Sequence, residues 1–283
     1  MDTFERTEDL RRFVAEHRKQ GHKIGLVPTM GYLHEGHYSL IRACRRECGA
    51  VVVSIFVNPA QFGPREDLGR YPRDLEGDLR GCREEGVDAV FNPSVEEVYP
   101  PGFQTYVAVE NITRRYCGAA RPVHFRGVAT VVAKLLNMIQ PDVAYFGEKD
   151  FQQSVVIKRM VKDLNISVEI SVQPTVREAD GLAMSSRNRY LSGEERQAAT
   201  ALNRSIEEAR GLVASGERRP DFILDSVRRV IEKEPLVRLE YAAITDNETL
   251  EPVGEIVGRE HLLLAAHVGS ARLIDNSSFG GVV

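Results

Sequence analysis

The sequence predicts a doubly wound α/β fold, with a Rossmann-like parallel sheet, followed by a smaller α+β domain. Over the first 175 residues, short apolar runs alternate with helical patterns. One such run, "AVVVSIFV" at 50–57, is apolar at nearly every position, as expected when both faces of a parallel strand are covered. Strand–helix alternation of this kind implies right-handed crossover connections. The pattern changes near residue 175, which predicts domains at 1–175 and 176–283.

The elements of the first domain follow from local periodicity. The first helix is expected from about Glu8 to Gln20, because Leu10, Phe13 and Val14 share a face and Gly21 follows. The same criteria predict the remaining elements: strand 23–27, helix 38–48, strand 50–57, helix 74–85, strand 87–91, possible strand 105–109, helix 128–139, strand 142–146, helix 151–163 and strand 167–172.

The second domain has a different order of predicted elements. Helical patterns at about 194–215 and 220–233 precede two strand-like runs, at 237–246 and 261–275. This smaller unit is expected to close over the active site.

Composition and charge narrow the class of protein. The formal net charge is −4, which argues against non-specific nucleic-acid binding. The amino terminus is polar and acidic, unlike a secretory signal, and no apolar run approaches the ~20 residues of a membrane span. Four irregularly spaced cysteines favour buried free thiols over disulfides, although the i,i+4 spacing of Cys44 and Cys48 leaves a metal site open. We expect a reduced, cytoplasmic protein that binds neither membrane nor nucleic acid.

The loops that follow strands are where an open α/β sheet binds its ligands. In the first, "VPTMGYLHEGH", Gly31 and Gly36 permit close backbone approach, and a helix is expected to begin near His37. His34 and His37 add donors suited to phosphate. The sequence contains no intact phosphate-binding loop motif and no G-x-G-x-x-G, which argues against a P-loop NTPase and a dinucleotide dehydrogenase. A helix cap with two surface histidines remains an alternative.

Three further loops carry polar groups. Gln61 follows an Asn-Pro turn, Lys149 lies in "AYFGEKDFQQ", and "ADGLAMSSRNRYLS" contains Ser185, Ser186 and Arg187. A surface glutamine, an ordinary helix start and a mobile linker are the respective alternatives. Together, however, the four loops fall where a nucleotide should lie, which favours a triphosphate site.

Several strings resemble known families. "PTMGYLHEGH" resembles the HxGH signature of nucleotidylyltransferases, and "MSSR" stands where class I aminoacyl-tRNA synthetases carry a KMSKS-type loop. Together with "FVNPAQF", "HFRGVATVVAKLLN", "FGEKDFQQ" and "PTVREADGLAMSSRNRYL", they are similar to the pantoate–β-alanine ligase family over about residues 20–195. Tyr32 departs from the pattern, because relatives often have a small residue there.

The resemblance implies an acid–amine ligase that forms a C–N bond and releases AMP, in the route to vitamin B5 and coenzyme A. (R)-Pantoate attacks the α-phosphate of ATP to give pantoyl adenylate and pyrophosphate. The amine of β-alanine then displaces AMP. The resemblance also implies Mg²⁺ and a homodimer.

The resemblance also assigns roles to residues. His37, the family's proton donor, His34, Lys149, Ser185 and Arg187 would be catalytic. Gln61 would bind pantoate and β-alanine, Gln153 would bind pantoate, Arg121 and His124 would line the pantoate pocket, and Asp78 is the candidate Mg²⁺ ligand. The ATP-binding set would be Met30, Gly31, Tyr32, Leu33, His34, Glu35, Gly36, His37, Gly147, Glu148, Lys149, Asp150, Val176, Met184, Ser185, Ser186 and Arg187.

Two other functions stay open. Another HxGH nucleotidylyltransferase acting on a phosphorylated acceptor would need extra Lys or Arg at the acceptor, whereas neutral Gln61 and Gln153 suit a hydroxy acid. A non-catalytic nucleotide sensor would bind ATP without turnover, and the presence of His37, Lys149 and Arg187 together argues against it.

Overall fold

The computed structural model describes residues 1–64 and 66–280. The chain divides into two compact units. Unit 1 comprises residues 1–148 and 153–174, and unit 2 comprises residues 149–152 and 175–283. The short segment 149–152, which carries Lys149, thus groups with the second unit although it lies far from it in sequence.

Unit 1 is built on a six-stranded parallel sheet with helices on both faces. Its elements are β1 (Asp2–Phe4), α1 (Thr7–Lys19), β2 (Ile24–Thr29), α2 (Glu35–Glu47), β3 (Ala50–Ile55), α3 (Leu75–Glu84), β4 (Ala89–Phe91), α4 (Val95–Val98), α5 (Cys117–Ala120), α6 (His124–Ile139), β5 (Val143–Gly147), α7 (Phe151–Asp163) and β6 (Glu169–Gln173).

The strand order of the sheet is β1-β4-β3-β2-β5-β6. From β2 the chain winds outward through β3 and β4 on one side, and β5 and β6 lie on the other. The topological switch therefore falls between β2 and β5, and in open α/β sheets ligands bind at such a switch, outside the carboxyl ends of the strands. The loop that follows β2 begins at this point.

The strands at the centre of the sheet are buried on both faces. Leu26 and Val52 pack into one apolar core, while Val27 and Val53 pack into another. This burial explains why the run at 50–57 does not alternate in polarity. The doubly wound class predicted from the sequence is confirmed.

The described residues of unit 2 form three complete helices and a three-stranded antiparallel sheet, besides the first two residues of α7. They are α8 (Gly193–Ala199), α9 (Ala201–Ala214), α10 (Pro220–Ile231), β7 (Val237–Asp246), β8 (Glu260–Val268) and β9 (Ala271–Ser278), with strand order β7-β8-β9. This is the smaller α+β unit that the sequence predicts.

Five predicted elements differ from those observed. Helix α6 begins at His124, not at 128, and the helix expected at 194–215 is two helices, α8 and α9, with Thr200 between them. Helix α2 begins at Glu35, not at 38, so the HEGH stretch forms its first turn. Residues 103–110, all of which the structure describes, form neither strand nor helix. There Val107 donates its N–H to Thr130 Oγ1 at 3.0 Å, a side-chain acceptor in place of a neighbouring strand. The run 261–275 is two strands, because the backbone turns at Gly269, whose φ is +54°.

The cysteines and the helices bear on two further expectations. Cys44, Cys48, Cys82 and Cys117 are all free and buried. In the described parts of the chain, no helix is both long and apolar enough to cross a membrane.

Gly25 allows α2 to pack closely on β2. A Cβ at Gly25 would overlap Cys44 Sγ and lie 2.8 Å from Cys48 Sγ. Gly25→Ala should therefore destabilise the protein by about 1–3 kcal/mol, the usual cost of overpacking a core. Urea denaturation measures the change, and a wild-type midpoint would contradict this account of the packing.

Gly211 provides the matched control. It lies on the exposed side of α9, and a Cβ there would meet nothing within 4 Å. Gly211→Ala should stabilise the protein by about 0.5–1 kcal/mol, because alanine loses less backbone entropy than glycine in a helix.

Candidate active site

The loop after β2 is tied to the neighbouring strand where it begins. Thr29, the last residue of β2, donates from Oγ1 to the carbonyl of Ser54 in β3 at 2.8 Å. The same hydroxyl oxygen accepts the N–H of Gly31 at 3.1 Å. The start of the loop is therefore fixed relative to the sheet.

The buried carboxylate of Asp78 holds the turn that follows. Gly31 and Tyr32 both have left-handed backbone angles, with φ of +80° and +54°. Such a φ is strained for a tyrosine. Asp78, in α3, offsets the strain, because Oδ2 accepts the N–H of Tyr32 at 2.8 Å and Oδ1 accepts that of Leu33 at 2.6 Å.

The surroundings of Asp78 favour an anchoring role over a metal site. Its burial raises its pKa, and the two backbone hydrogen bonds act in the opposite direction. Among the described residues, no three His, Cys, Asp or Glu side chains lie together in a way that could hold a metal ion. Asp78 as a Mg²⁺ ligand stays a prediction.

The two histidines of HEGH lie together in the first turn of α2. Their ring centroids are 4.1 Å apart. His37 Nδ1 accepts the N–H of His34 at 3.3 Å. A neutral ring that accepts through Nδ1 carries its proton on Nε2, so His37 offers an Nε2–H donor. The helix amino terminus adds a positive dipole end, and both features suit an anionic oxygen.

Gln61 has its side-chain amide oriented by a neighbour. Asn58 Nδ2 donates to Gln61 Oε1 at 3.1 Å and to the carbonyl of Gly127 at 3.1 Å. Asn58 Oδ1 accepts from Tyr99 Oη at 2.8 Å, which fixes the asparagine amide in turn. Gln61 therefore presents its Nε2 donors on its other side, and Nε2 lies 2.9 Å from Met30 Sδ.

Arg121 and His124 contact the backbone of Gln61. His124 Nδ1 lies 3.1 Å from the Gln61 carbonyl oxygen, and Arg121 Nη2 donates to the same oxygen at 3.4 Å. The guanidinium of Arg121 also binds both carboxylate oxygens of Glu66, at 3.0 and 2.5 Å. In unit 1 the structure thus brings together Met30, Gln61, Arg121 and His124. Gln153 lies half-buried in the first turn of α7.

The sequence interpretation missed two residues of this cluster. The sequence pattern indicates only a turn at Asn58 and gives no signal for Glu66. The Asn-Pro pair before Gln61 was the available signal for Asn58, since such an asparagine often bonds the backbone two residues later. Its Oδ1 does accept the N–H of Ala60, at 3.2 Å.

The Lys149 segment belongs to unit 2. Gly147 ends β5, and Glu148–Asp150 form a 3₁₀ turn that leads into α7. Lys149 is half-buried, with Nζ 3.9 Å from Asp150 Oδ2.

The loop from Val176 to Arg187 forms a narrow hairpin within unit 2. The N–H of Met184 donates to the carbonyl of Val176 at 3.0 Å, and Gly181, with φ of +86°, lies at the turn. Ser185 then caps a 3₁₀ turn, Ser186–Tyr190, by accepting the N–H of Arg187 at 3.3 Å. Ser186 is buried, while Ser185 and Arg187 are half-buried.

Ion pairs made by two arginines anchor this hairpin. Arg177 donates to both carboxylate oxygens of Asp275 in β9, at 2.7 and 3.0 Å, and also to the Gly181 carbonyl. Arg196 binds Glu178 at 2.6 Å and Asp180 at 2.8 Å. Backbone hydrogen bonds and ion pairs therefore order the hairpin, which differs from the mobile linker that was the alternative interpretation of the sequence.

Comparisons with known proteins agree across nearly the whole chain. The family model described as pantoate-beta-alanine ligase matches residues 2–278. The pantothenate synthetase of Moorella thermoacetica is 56% identical over 280 residues, covering 98% of both chains. That of Pelotomaculum thermopropionicum is 55% identical over 272 residues, covering 96% of both.

Solved structures give the same result. The pantothenate synthetase of Thermus thermophilus has a TM-score of 0.95 and 47% identity, covering 99% of this chain and 100% of that one. The pantoate-beta-alanine ligase of Francisella tularensis, complexed with beta-gamma ATP and beta-alanine, has a TM-score of 0.82 and 33% identity, covering 99% and 98%. The chain therefore belongs to the pantoate–β-alanine ligase family.

Proposed function

We propose that this chain condenses pantoate with β-alanine at the expense of ATP, through a pantoyl adenylate. A pantoate carboxylate oxygen attacks the α-phosphorus, and the bond to the bridging oxygen breaks to release pyrophosphate. The β-alanine nitrogen then attacks the activated carbonyl carbon, the C–O bond to AMP breaks, and the amine loses a proton. The family match over residues 2–278 is the observation that carries this proposal.

The contacts in unit 1 support a hydroxy acid as the acceptor. The amide of Gln61 is fixed so that Nε2 donates away from Asn58, and such donors suit the hydroxyl and carboxylate oxygens of pantoate. The charge of Arg121 is matched by Glu66, so this cluster does not offer an unpaired guanidinium to a phosphorylated acceptor. The rival nucleotidylyltransferase needs such a cation.

The remaining roles are proposed from the family resemblance. His34, His37 and Lys149 stabilise charge on the phosphates, and Ser185 and Arg187 bind the triphosphate with Met184 and Ser186. Gln153 binds pantoate. Magnesium accompanies the ATP phosphates, since Mg²⁺ keeps several waters and takes few protein ligands.

Assembly as a homodimer and a cytoplasmic location are also part of the proposal. The four free, buried cysteines suit a reducing compartment. Light scattering of the purified protein tests the dimer.

Pyrophosphate exchange tests the reaction itself. With ATP and Mg²⁺ but no amine, labelled pyrophosphate should enter ATP only when pantoate is present, because adenylation precedes the amine. Glycerol 3-phosphate, a phosphate monoester, should not replace pantoate. Exchange with the phosphate monoester alone would instead establish the rival function, and no exchange with folded protein would exclude the ligase.

Two substitutions at His37 separate the roles of its ring nitrogens. Glutamine keeps a donor near the position of Nε2, whereas asparagine keeps only an acceptor near Nδ1. His37→Asn should slow exchange by about 10²–10³, the usual loss for a preorganised donor, and His37→Gln should lose less. Initial exchange rates at saturating ATP and pantoate measure both. The reverse order would show that the Nδ1 contact to His34 matters more.

Asp78→Asn tests whether the carboxylate anchors the loop or binds magnesium. Asparagine replaces one of the two carboxylate oxygens with an NH₂ group, which cannot accept the backbone N–H that it faces. The loop should therefore shift, and the rate of adenylation should fall by about 10²-fold. Excess Mg²⁺ should not restore the rate, whereas restoration would establish a metal ligand. Asp74→Asn is the matched control, because the Asp74 side chain accepts the N–H of Gly77 in the same helix α3, at 3.0 Å, and asparagine can make the same cap.

A further inference from the structure

The segment that carries Lys149 is held by two buried residues of the antiparallel sheet in unit 2. Asn276 of β9 donates from Nδ2 to the carbonyl of Lys149 at 2.8 Å. His261 of β8 stacks on the ring of Phe151, with centroids 3.6 Å apart and planes 6° from parallel. His261 and Asn276 are only 1% and 5% exposed.

These contacts form one ordered chain of hydrogen bonds. Because Asn276 Nδ2 donates to Lys149, its Oδ1 faces His261, and the distance from Oδ1 to His261 Nε2 is 2.7 Å. An amide oxygen only accepts, so His261 must donate from Nε2. The order from donor to acceptor is therefore His261, Asn276, then the Lys149 carbonyl.

The burial of His261 keeps this order fixed. Burial lowers its pKa to about 4, so the ring is neutral at physiological pH. Its Nδ1 has no hydrogen-bond partner among the described residues. A buried acceptor without a partner costs about 1–3 kcal/mol. The stacking on Phe151 and the bond to Asn276 hold the ring despite that cost.

The adjacent residue of β9 holds the other proposed ATP-binding segment of unit 2. Asp275 binds Arg177, which anchors the hairpin leading to Met184–Arg187. Consecutive positions of one strand therefore fix the backbones of both segments. Neither Asp275 nor Asn276 carries a role taken from the family resemblance.

We propose that His261 and Asn276 are positioning residues for Lys149 in the adenylation step. By fixing the carbonyl of Lys149, Asn276 sets the direction from which its side chain reaches the ATP phosphates, and His261 sets the orientation of the Asn276 amide. This inference rests on the proposed function, in which Lys149 contacts ATP. Because pyrophosphate leaves in the first half-reaction, loss of this positioning should affect adenylation more than the later attack by the amine.

Two half-reaction assays test this split on the full chain. Pantoate-dependent pyrophosphate exchange measures adenylation, and pantothenate formed from supplied pantoyl adenylate and β-alanine measures the second step. Asn276→Leu keeps the side-chain size but removes both hydrogen bonds. It should lower kcat/KM for ATP in exchange by about 10²-fold, as misplacement of a binding group by about 1 Å does, and change the second step by less than about threefold.

The pair His261→Phe and His261→Gln supplies a test that a general loss of stability would not mimic. Phenylalanine keeps the stacking on Phe151 but removes the donor, and glutamine keeps a donor near Nε2. His261→Gln should therefore retain more exchange activity than His261→Phe. If Asn276→Leu does not fold, this pair alone decides the question.

Ser226→Ala is the control, because it removes a different hydrogen bond of unit 2, the partly buried 2.9 Å bond to Glu208. It should leave the ratio of the two half-reactions unchanged. Equal losses in both half-reactions, or full exchange activity in both Asn276→Leu and His261→Phe, would overturn the inference while leaving the proposed function intact. A wild-type protein without pantoate-dependent exchange would overturn both.

Discussion

The bonds from Asp78 to the Tyr32 and Leu33 amides fix the geometry of the candidate site in unit 1. They hold two successive left-handed residues directly after β2. This turn delivers the chain to His34 in an orientation that starts α2 at Glu35. The two histidines can therefore lie in one helical turn beside the topological switch of the sheet. The buried carboxylate thus helps to offset the strain at Tyr32.

The elements and motifs that depend on local sequence pattern were predicted correctly. Most of the errors concern features that contacts between residues distant in sequence determine. The doubly wound fold, the smaller α+β unit, the family and the ligase activity are confirmed, because periodicity and contiguous motifs carried them. The strand at 105–109 was wrong because Val107 bonds a side chain of α6. The turn at Gly269 was missed although Gly-Ser between apolar runs is a hairpin signal. The anchoring contacts of Asp78 join residues 45 and 46 positions apart, a separation that no local pattern reveals.

A common device orients the amide side chains. An asparagine or glutamine amide has a donor end and an acceptor end. A neighbouring group that donates to the oxygen fixes the amide, so that its nitrogen faces the ligand or the loop. Asn58 donates a hydrogen bond to the side-chain oxygen of Gln61, and His261 donates one to the side-chain oxygen of Asn276. Asn58 and His261, the two donors, are buried, so water does not compete for these hydrogen bonds. Each thereby converts an ambiguous polar group into a defined donor.

The pairing of Arg121 with Glu66 matters for the proposed chemistry in the same way. Adenylation requires the pantoate carboxylate to act as a nucleophile, and a guanidinium bound to that carboxylate would stabilise the ground state and raise the barrier. Glu66 accepts from Nε and Nη2 of Arg121, so the charge of the guanidinium is already matched, and Nη2 also donates to the Gln61 carbonyl. In the proposed function, the neutral amide of Gln61 would hold the acid with weaker bonds that can change as the new P–O bond forms. Direct contact with an arginine would bind a carboxylate most tightly. A neutral amide, with the arginine paired to Glu66, leaves the carboxylate more reactive.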